Sequence, residues 1–291
     1  MTKNPVRSFA LLAVVLSGAW AQVDEFAGVW NYDQPGASTG VNIGTIRCPA
    51  TPKGGTAFVM TVPQIGNLTL KRKEDGQLEG RTDQGCTWTF KDNGSAAELY
   101  PAPQSCFNQL IGSSYTMTRW SFQLDGNHQT ESIDAKSHLP MGDCDFTLNG
   151  SRTKADDADS SGLFVGAWEY DAPNPRTRSN MLQFMQPGEG ERPNPDTPQT
   201  GVVSFSKIGE HTLAGRTPDG CSWFLDVHGN TALLPAPQTC EIAGSTITMN
   251  HWTIASDGGH QLSVMNMTQN AGGKIRTALL SAGRLTKQTS Q

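Results

Sequence analysis

The sequence predicts an all-β protein made of two tandem antiparallel domains, each a barrel or sandwich stapled by a local disulfide. Three observations predict it. The chain repeats itself once, its apolar residues alternate with period two, and its 31 Gly and 17 Pro residues punctuate it at short intervals. Only 17% of the residues are charged, a profile of short strands and turns rather than long helices.

The repeat divides the chain. GRTDQGCTW (Gly80 to Trp88) returns as GRTPDGCSW (Gly215 to Trp223), and LYPAPQSC (Leu99 to Cys106) returns as LLPAPQTC (Leu233 to Cys240). Outward from this centre, FAGVWNYD (Phe26 to Asp33) matches FVGAWEYD (Phe164 to Asp171), and LDGNHQ (Leu124 to Gln129) matches SDGGHQ (Ser256 to Gln261). GSRTK (Gly150 to Lys154) and GRLTK (Gly283 to Lys287) close the two copies. The chain of 291 residues therefore has two cores, in units spanning residues 22–154 and 163–287. Residues 155–162 are small, acidic and polar, the composition of a mobile linker.

Within a copy, Cys86, Trp88 and Phe90 alternate with Thr87 and Thr89, and Cys221, Trp223 and Leu225 alternate with Ser222 and Phe224. A second strand puts Tyr115, Met117 and Arg119 on one side and Thr118, Trp120 and Phe122 on the other; Ile247, Met249, His251 and Asn250, Trp252, Ile254 stand at the matching places. Asp125-Gly126 and Asp257-Gly258 then supply hairpin turns. Eight to ten such runs per copy, with no helical periodicity, give an antiparallel barrel or sandwich.

The first 21 residues read as a signal peptide. Lys3 and Arg7 precede an apolar run from Phe9 to Leu16, and Ala19-Trp20-Ala21 fits a cleavage site, so the mature protein begins at Gln22 and is secreted, periplasmic or extracellular. No later stretch is long and apolar enough for a membrane span. The net charge of −5 becomes two units more negative without the leader, which argues against nucleic acid or an anionic membrane as partner.

Six cysteines in an exported chain predict disulfides. The repeat pairs Cys86 with Cys106 and Cys221 with Cys240; Cys48 and Cys144 remain for each other, which requires the end of one strand to meet the start of another. No C-x-x-C or histidine spacing suggests a metal, and no nucleophile elbow, phosphate loop or dinucleotide fingerprint is present. His128 and His260 follow Gly-rich turns, and Asp33 and Asp171 end a strand; each has a structural reading. The chain is accordingly expected to be no enzyme and to need no cofactor or metal.

Gly28-Val29-Trp30 opens the first copy and Arg152 closes it; Gly166-Ala167-Trp168 opens the second and Arg284 closes it. On these residues each copy resembles the calycin superfamily of lipocalin-like, avidin-like and bacterial metalloprotease-inhibitor barrels. The resemblance covers only the ends of each copy. It implies that the two copies are tandem antiparallel up-and-down β-barrels, that Arg152 stacks on Trp30 and Arg284 on Trp168, and that the protein binds a small apolar or aromatic ligand in the barrel mouths. Candidates for the lining are Trp88, Tyr115, Met117 and Trp120 in the first copy, and Trp223, Ile247, Met249 and Trp252 in the second. Arg119 and His251 stand at equivalent places and would orient an anionic group. The alternatives are a protease-inhibitor-like or protein-interaction module acting through rim loops, for which the Pro-rich segment 187–198 is suited, and a hydrolase with scattered catalytic residues.

Overall fold

A computed structural model of the chain describes residues 24–50, 56–108, 110–139, 142–185 and 196–289. The expected signal peptide and most of the Pro-rich segment lie outside these residues. The first unit contains β1 (Gly28–Tyr32), β2 (Ile43–Cys48), β3 (Phe58–Pro63), β4 (Asn67–Arg72), β5 (Leu78–Thr82) and β6 (Thr87–Asn93). It continues with β7 (Ala96–Leu99), β8 (Gln104–Asn108), β9 (Ser113–Asp125), β10 (His128–Leu139) and β11 (Gly142–Lys154). The second unit repeats the series as β12 (Gly166–Tyr170), β13 (Met181–Met185), β14 (Thr197–Pro198), β15 (Val202–Gly209), β16 (Thr212–Arg216) and β17 (Ser222–His228). It ends with β18 (Thr231–Leu233), β19 (Gln238–Ile242), β20 (Ser245–Ser256), β21 (His260–Ala271) and β22 (Lys274–Lys287).

Pairing runs β1-β4-β5-β6-β7-β9-β10-β11 and returns from β11 to β1, so eight antiparallel strands close the first barrel; β12-β15-β16-β17-β18-β20-β21-β22 close the second in the same order. The three longest strands outrun the closed part. Their extensions carry β8 on β9 and the β2–β3 hairpin on β11, and the second unit does likewise with β19 and β13–β14.

The period-two pattern explains the burial. Trp88 and Phe90 point inward from β6, between Thr87, Thr89 and Lys91 on the outside. β5 and β7 likewise turn Arg81 and Glu98 out. Trp30, Trp88, Trp120, Trp168, Trp223 and Trp252 are all fully buried. No helix among the described residues is long and apolar enough to cross a membrane.

All three expected disulfides form: Cys86–Cys106, Cys221–Cys240 and Cys48–Cys144. The last is explained by register. β2 runs antiparallel to β11 with Arg47 opposite Asp145, so the end of β2 lies beside the start of β11. Three disulfides point to an extracytoplasmic protein.

The segment joining the barrels is tied down, contrary to its composition. The Ala155 amide donates to the Val29 carbonyl, Lys207 pairs with Asp159, and a single 3-10 turn, Ser161–Leu163, leads to the fully buried Phe164.

Candidate functional site

The closed end of each barrel corrects the expected pairing of tryptophan with arginine. Lys154 lies over the Trp30 ring, its Nζ 5.4 Å from the centroid, and Lys287 lies over Trp168 at 5.3 Å. The reason is register: Trp30 faces Lys154 directly across β1 and β11, and Trp168 faces Lys287 across β12 and β22. The glycine two places before each tryptophan makes room. Gly28 has φ +137°, and a β-carbon there would come within 2.7 Å of the Lys154 stem; Gly166 has φ +130° and the same neighbour at 3.0 Å in Lys287. Each indole Nε1 donates to a backbone carbonyl four residues back, of Phe26 or Phe164.

Arg152 is instead opposite Tyr32, with its guanidinium carbon 3.5 Å from the ring centre, and it donates to the Trp30 carbonyl and to Glu131. Glu131 also accepts from Trp120 Nε1 at 2.9 Å. In the second barrel the residue opposite Tyr170 is Leu285, and Trp252 donates to Ser263. Arg284 is the neighbour of that position, on the outward side and exposed, so it has no place over Trp168.

The expected ligand lining is core. Trp88, Trp120, Met117, Trp223, Met249 and Trp252 are buried, and Tyr115 and Ile247 pack against them. Aromatic edges fill the first barrel: Trp88 and Trp120 have centroids 6.2 Å apart, Trp88 and Tyr115 5.5 Å, and Phe90 and Trp120 5.2 Å. Side chains in mutual contact at these distances occupy the space that the ligand was expected to take. Arg119 points outward and pairs with Asp134 at 2.7 Å.

His251, at the position equivalent to Arg119, belongs to a different environment: the contact between the barrels. There the Thr253 hydroxyl donates to Asp83 Oδ2 at 2.8 Å and stands 2.8 Å from His251 Nε2, whose proton it is placed to accept. Burial pushes the Asp83 carboxyl above its ordinary value, with His251 and Thr253 acting against it. Burial likewise holds the His251 imidazole below its ordinary value, and the Asp83 charge opposes this. Nearby, the Asn31 amide donates to the His228 carbonyl at 2.5 Å and the Asn230 amide donates to the Tyr32 carbonyl at 3.0 Å. Asn266 reaches the Leu110 carbonyl at 2.9 Å.

These contacts border a cleft of about 270 Å³ between the barrels. Arg81, Asp83, Asn67 and Thr69 line it from the first barrel; Asp226, His228, His251 and Thr253 line it from the second, beside an apolar ledge of Leu233, Leu234 and Pro235. The repeat hid this site, because its residues differ between the copies. Superposing the strand registers, Asp83 falls on Pro218, His251 on Arg119, and Asn31 on Glu169; that set of outward differences is the signal a sequence reading could have used.

Sequence reasoning also passed over a repeated clasp. Asn42 and Asn180, both at positive φ and fully buried, each stand nine residues after Asp33 or Asp171. Their amides donate to that aspartate's carbonyl and to the carbonyl of Ser151 or Arg284, bolting the loop after the first strand to the last strand.

One row of side chains has the form of a hydrolytic relay. Asp143 Oδ1 and His138 Nδ1 are 2.9 Å apart, His138 Nε2 and the Thr116 hydroxyl 2.9 Å, and the Thr116 and Ser105 hydroxyls 2.8 Å. It crosses four adjacent strands on the outer face of the sheet, where cross-strand polar ladders are ordinary.

No family model and no curated protein sequence matches the chain. Among solved structures, it is similar to a "putative outer membrane protein" of Bacteroides fragilis, at 11% identity and a TM-score of 0.29, over 91% of this chain and 98% of that one. A superposition of that quality leaves the fold to stand on the strand pairing itself.

Proposed function

We propose that the protein is an exported, non-enzymatic binding protein that takes a small polar molecule in the cleft between its barrels. The observation that carries this reading is the chain from His251 through Thr253 to Asp83, at the floor of a concave surface also offering Arg81 and Asp226. Ligand sites combine a few placed polar groups with an apolar wall, and Leu234 with Pro235 supplies the wall. Charges of both signs suit a ligand with several donors and acceptors, of the size of an amino acid or a monosaccharide. The packed tryptophans favour this cleft over an apolar ligand in the barrel mouths. Export to the periplasm or beyond follows from the leader-like residues 1–21 taken with the disulfides.

A non-enzymatic role is favoured by the placement of the Asp143–His138–Thr116 row, because a substrate on that outer face would be held from one side only. A partner-protein role has one observation of its own: Phe58, Val59 and Met60 are exposed on β3, the strand at which the sheet path ends.

The test is a native mass spectrum of the full chain purified from its own host, beside variants Arg81→Ala and Thr69→Trp. A small-molecule adduct on the wild type that both variants lose supports the cleft. An adduct that survives in both folded variants sinks this reading.

A further inference from the structure

The contact between the barrels is heterologous: each barrel uses a different face. The first presents the end of β1 with the β5–β6 turn, through Asn31, the Tyr32 carbonyl and Asp83. The second presents the tip of the β17–β18 hairpin and the outer side of β20, through the His228 carbonyl, Asn230, His251 and Thr253. Since the barrels share one fold, each also owns the face that it does not use here. Among the described residues, the second barrel's receiving face and the first barrel's inserting face are left without a barrel against them. A head-to-tail contact of this kind joins two unlike faces, so a pair of barrels leaves one face of each kind over.

The residues on the free faces differ at the contacts. Where the used receiving face has Asn31 and Asp83, the free one has Glu169 and Pro218, both exposed. Asn31 donates to a hairpin carbonyl; a carboxylate at that place would instead set negative charge against it. Where the used inserting face has Asn230, His251 and Thr253, the free one has Ser95, Arg119 and Ser121. Arg119 is held by Asp134. The hairpin tips themselves are alike. Gly94 and Gly229 have φ +65° and +57°; a β-carbon on Gly229 would come within 2.9 Å of the Asn31 amide, whereas at Gly94 none of the described residues lies within 4 Å.

We infer that these side chains form a docking code, which fits the first barrel's receiving face to the second barrel's inserting face and turns another copy of the chain away from the two remaining faces. Glu169 and Pro218 close one end and Arg119 with Ser95 closes the other. The inference concerns the interface alone and stands apart from the identity of any ligand in the cleft.

Two arms test it on the full chain. In the first, Asn31→Glu with Asp83→Pro writes the closed code into the used face; the fold tolerates both, since Glu169 and Pro218 occupy those places in the second barrel. The expected result is two barrels tumbling separately in 15N relaxation, with each barrel's circular dichroism intact. In the second, a receiving variant (Glu169→Asn, Pro218→Asp) is mixed with an inserting variant (Ser95→Asn, Arg119→His, Ser121→Thr). Each is capped at its other end, so each alone stays a monomer and the mixture forms a 1:1 complex of doubled mass by sedimentation. Barrels that stay coupled in the first arm, or a mixture that stays monomeric up to millimolar concentration, would overturn the inference.

Discussion

The Arg152 guanidinium lies 3.5 Å from the centre of the Tyr32 ring and donates to Glu131, with both charged side chains essentially inaccessible to water. The second barrel builds the same place from Leu285 and Ser263. Breaking a buried pair by removing one partner strands the other charge, whereas replacing both by neutral groups that fit can be nearly neutral. Arg152→Leu should therefore cost about 3–5 kcal/mol in urea unfolding, and adding Glu131→Ser should restore most of it. A double variant no more stable than the single one would contradict this.

Gly28 should not tolerate a side chain. At φ +137°, with the Lys154 stem within 2.7 Å of an added β-carbon, Gly28→Ala combines backbone strain with a clash. The expected loss is of order 1–3 kcal/mol, and Gly166→Ala should behave alike. Gly85→Ala, at φ +88° but with no described atom within 4 Å, isolates the strain from the clash and should lose less. Unfolding midpoints of the three variants compare them.

Acid should weaken the barrel contact through His251. Its folded-state pKa is depressed by burial; stability is then full above the unfolded value of about 6.5 and is lost as pH falls from there towards the folded value. Asp83 has the opposite sign, because its raised pKa gives stability that is present below its ordinary value and lost as pH rises through the folded one. His228, also lowered by burial, adds to the His251 trend. Thermal midpoints between pH 7.5 and 5.5 should fall more in the wild type than in His251→Gln, which keeps a donor for Thr253 but does not titrate. Equal falls would remove His251 as the cause.

The two kinds of disulfide should differ in worth. Cys48–Cys144 spans 96 residues and Cys86–Cys106 spans 20. In the chain-entropy model, replacing the first pair by serines costs about 4–5 kcal/mol and the second about 3 kcal/mol. Urea midpoints of the two double-serine variants measure the order, and the reverse order would show that local strand pairing outweighs loop length.

The barrels were legible in the sequence because their signals are local: alternation around Trp88 and Trp223, turns at Gly126 and Gly258, and cysteines at matched places. The cation over each tryptophan was legible too, but misread. GSRTK and GRLTK align Lys154 with Lys287 and Arg152 with Leu285, so the repeated residue was the lysine. The Cys48–Cys144 pair was reached only by elimination, since no local pattern encodes the return of β2 beside β11. The cleft was out of reach for a related reason. Asp83 and Thr253 are 170 residues apart, and the repeat draws attention to what the copies share, whereas this contact is made by what they do not.

The central claim is that Asn31, Asp83, Asn230 and Thr253 lock the two barrels into one body with a polar cleft between them. Backbone 15N relaxation of the full mature chain tests it most directly, by comparing amides of β6 with those of β17. The account predicts a single rotational correlation time, that of one body of the whole chain's size. Two shorter and independent correlation times, one for each barrel, would contradict it.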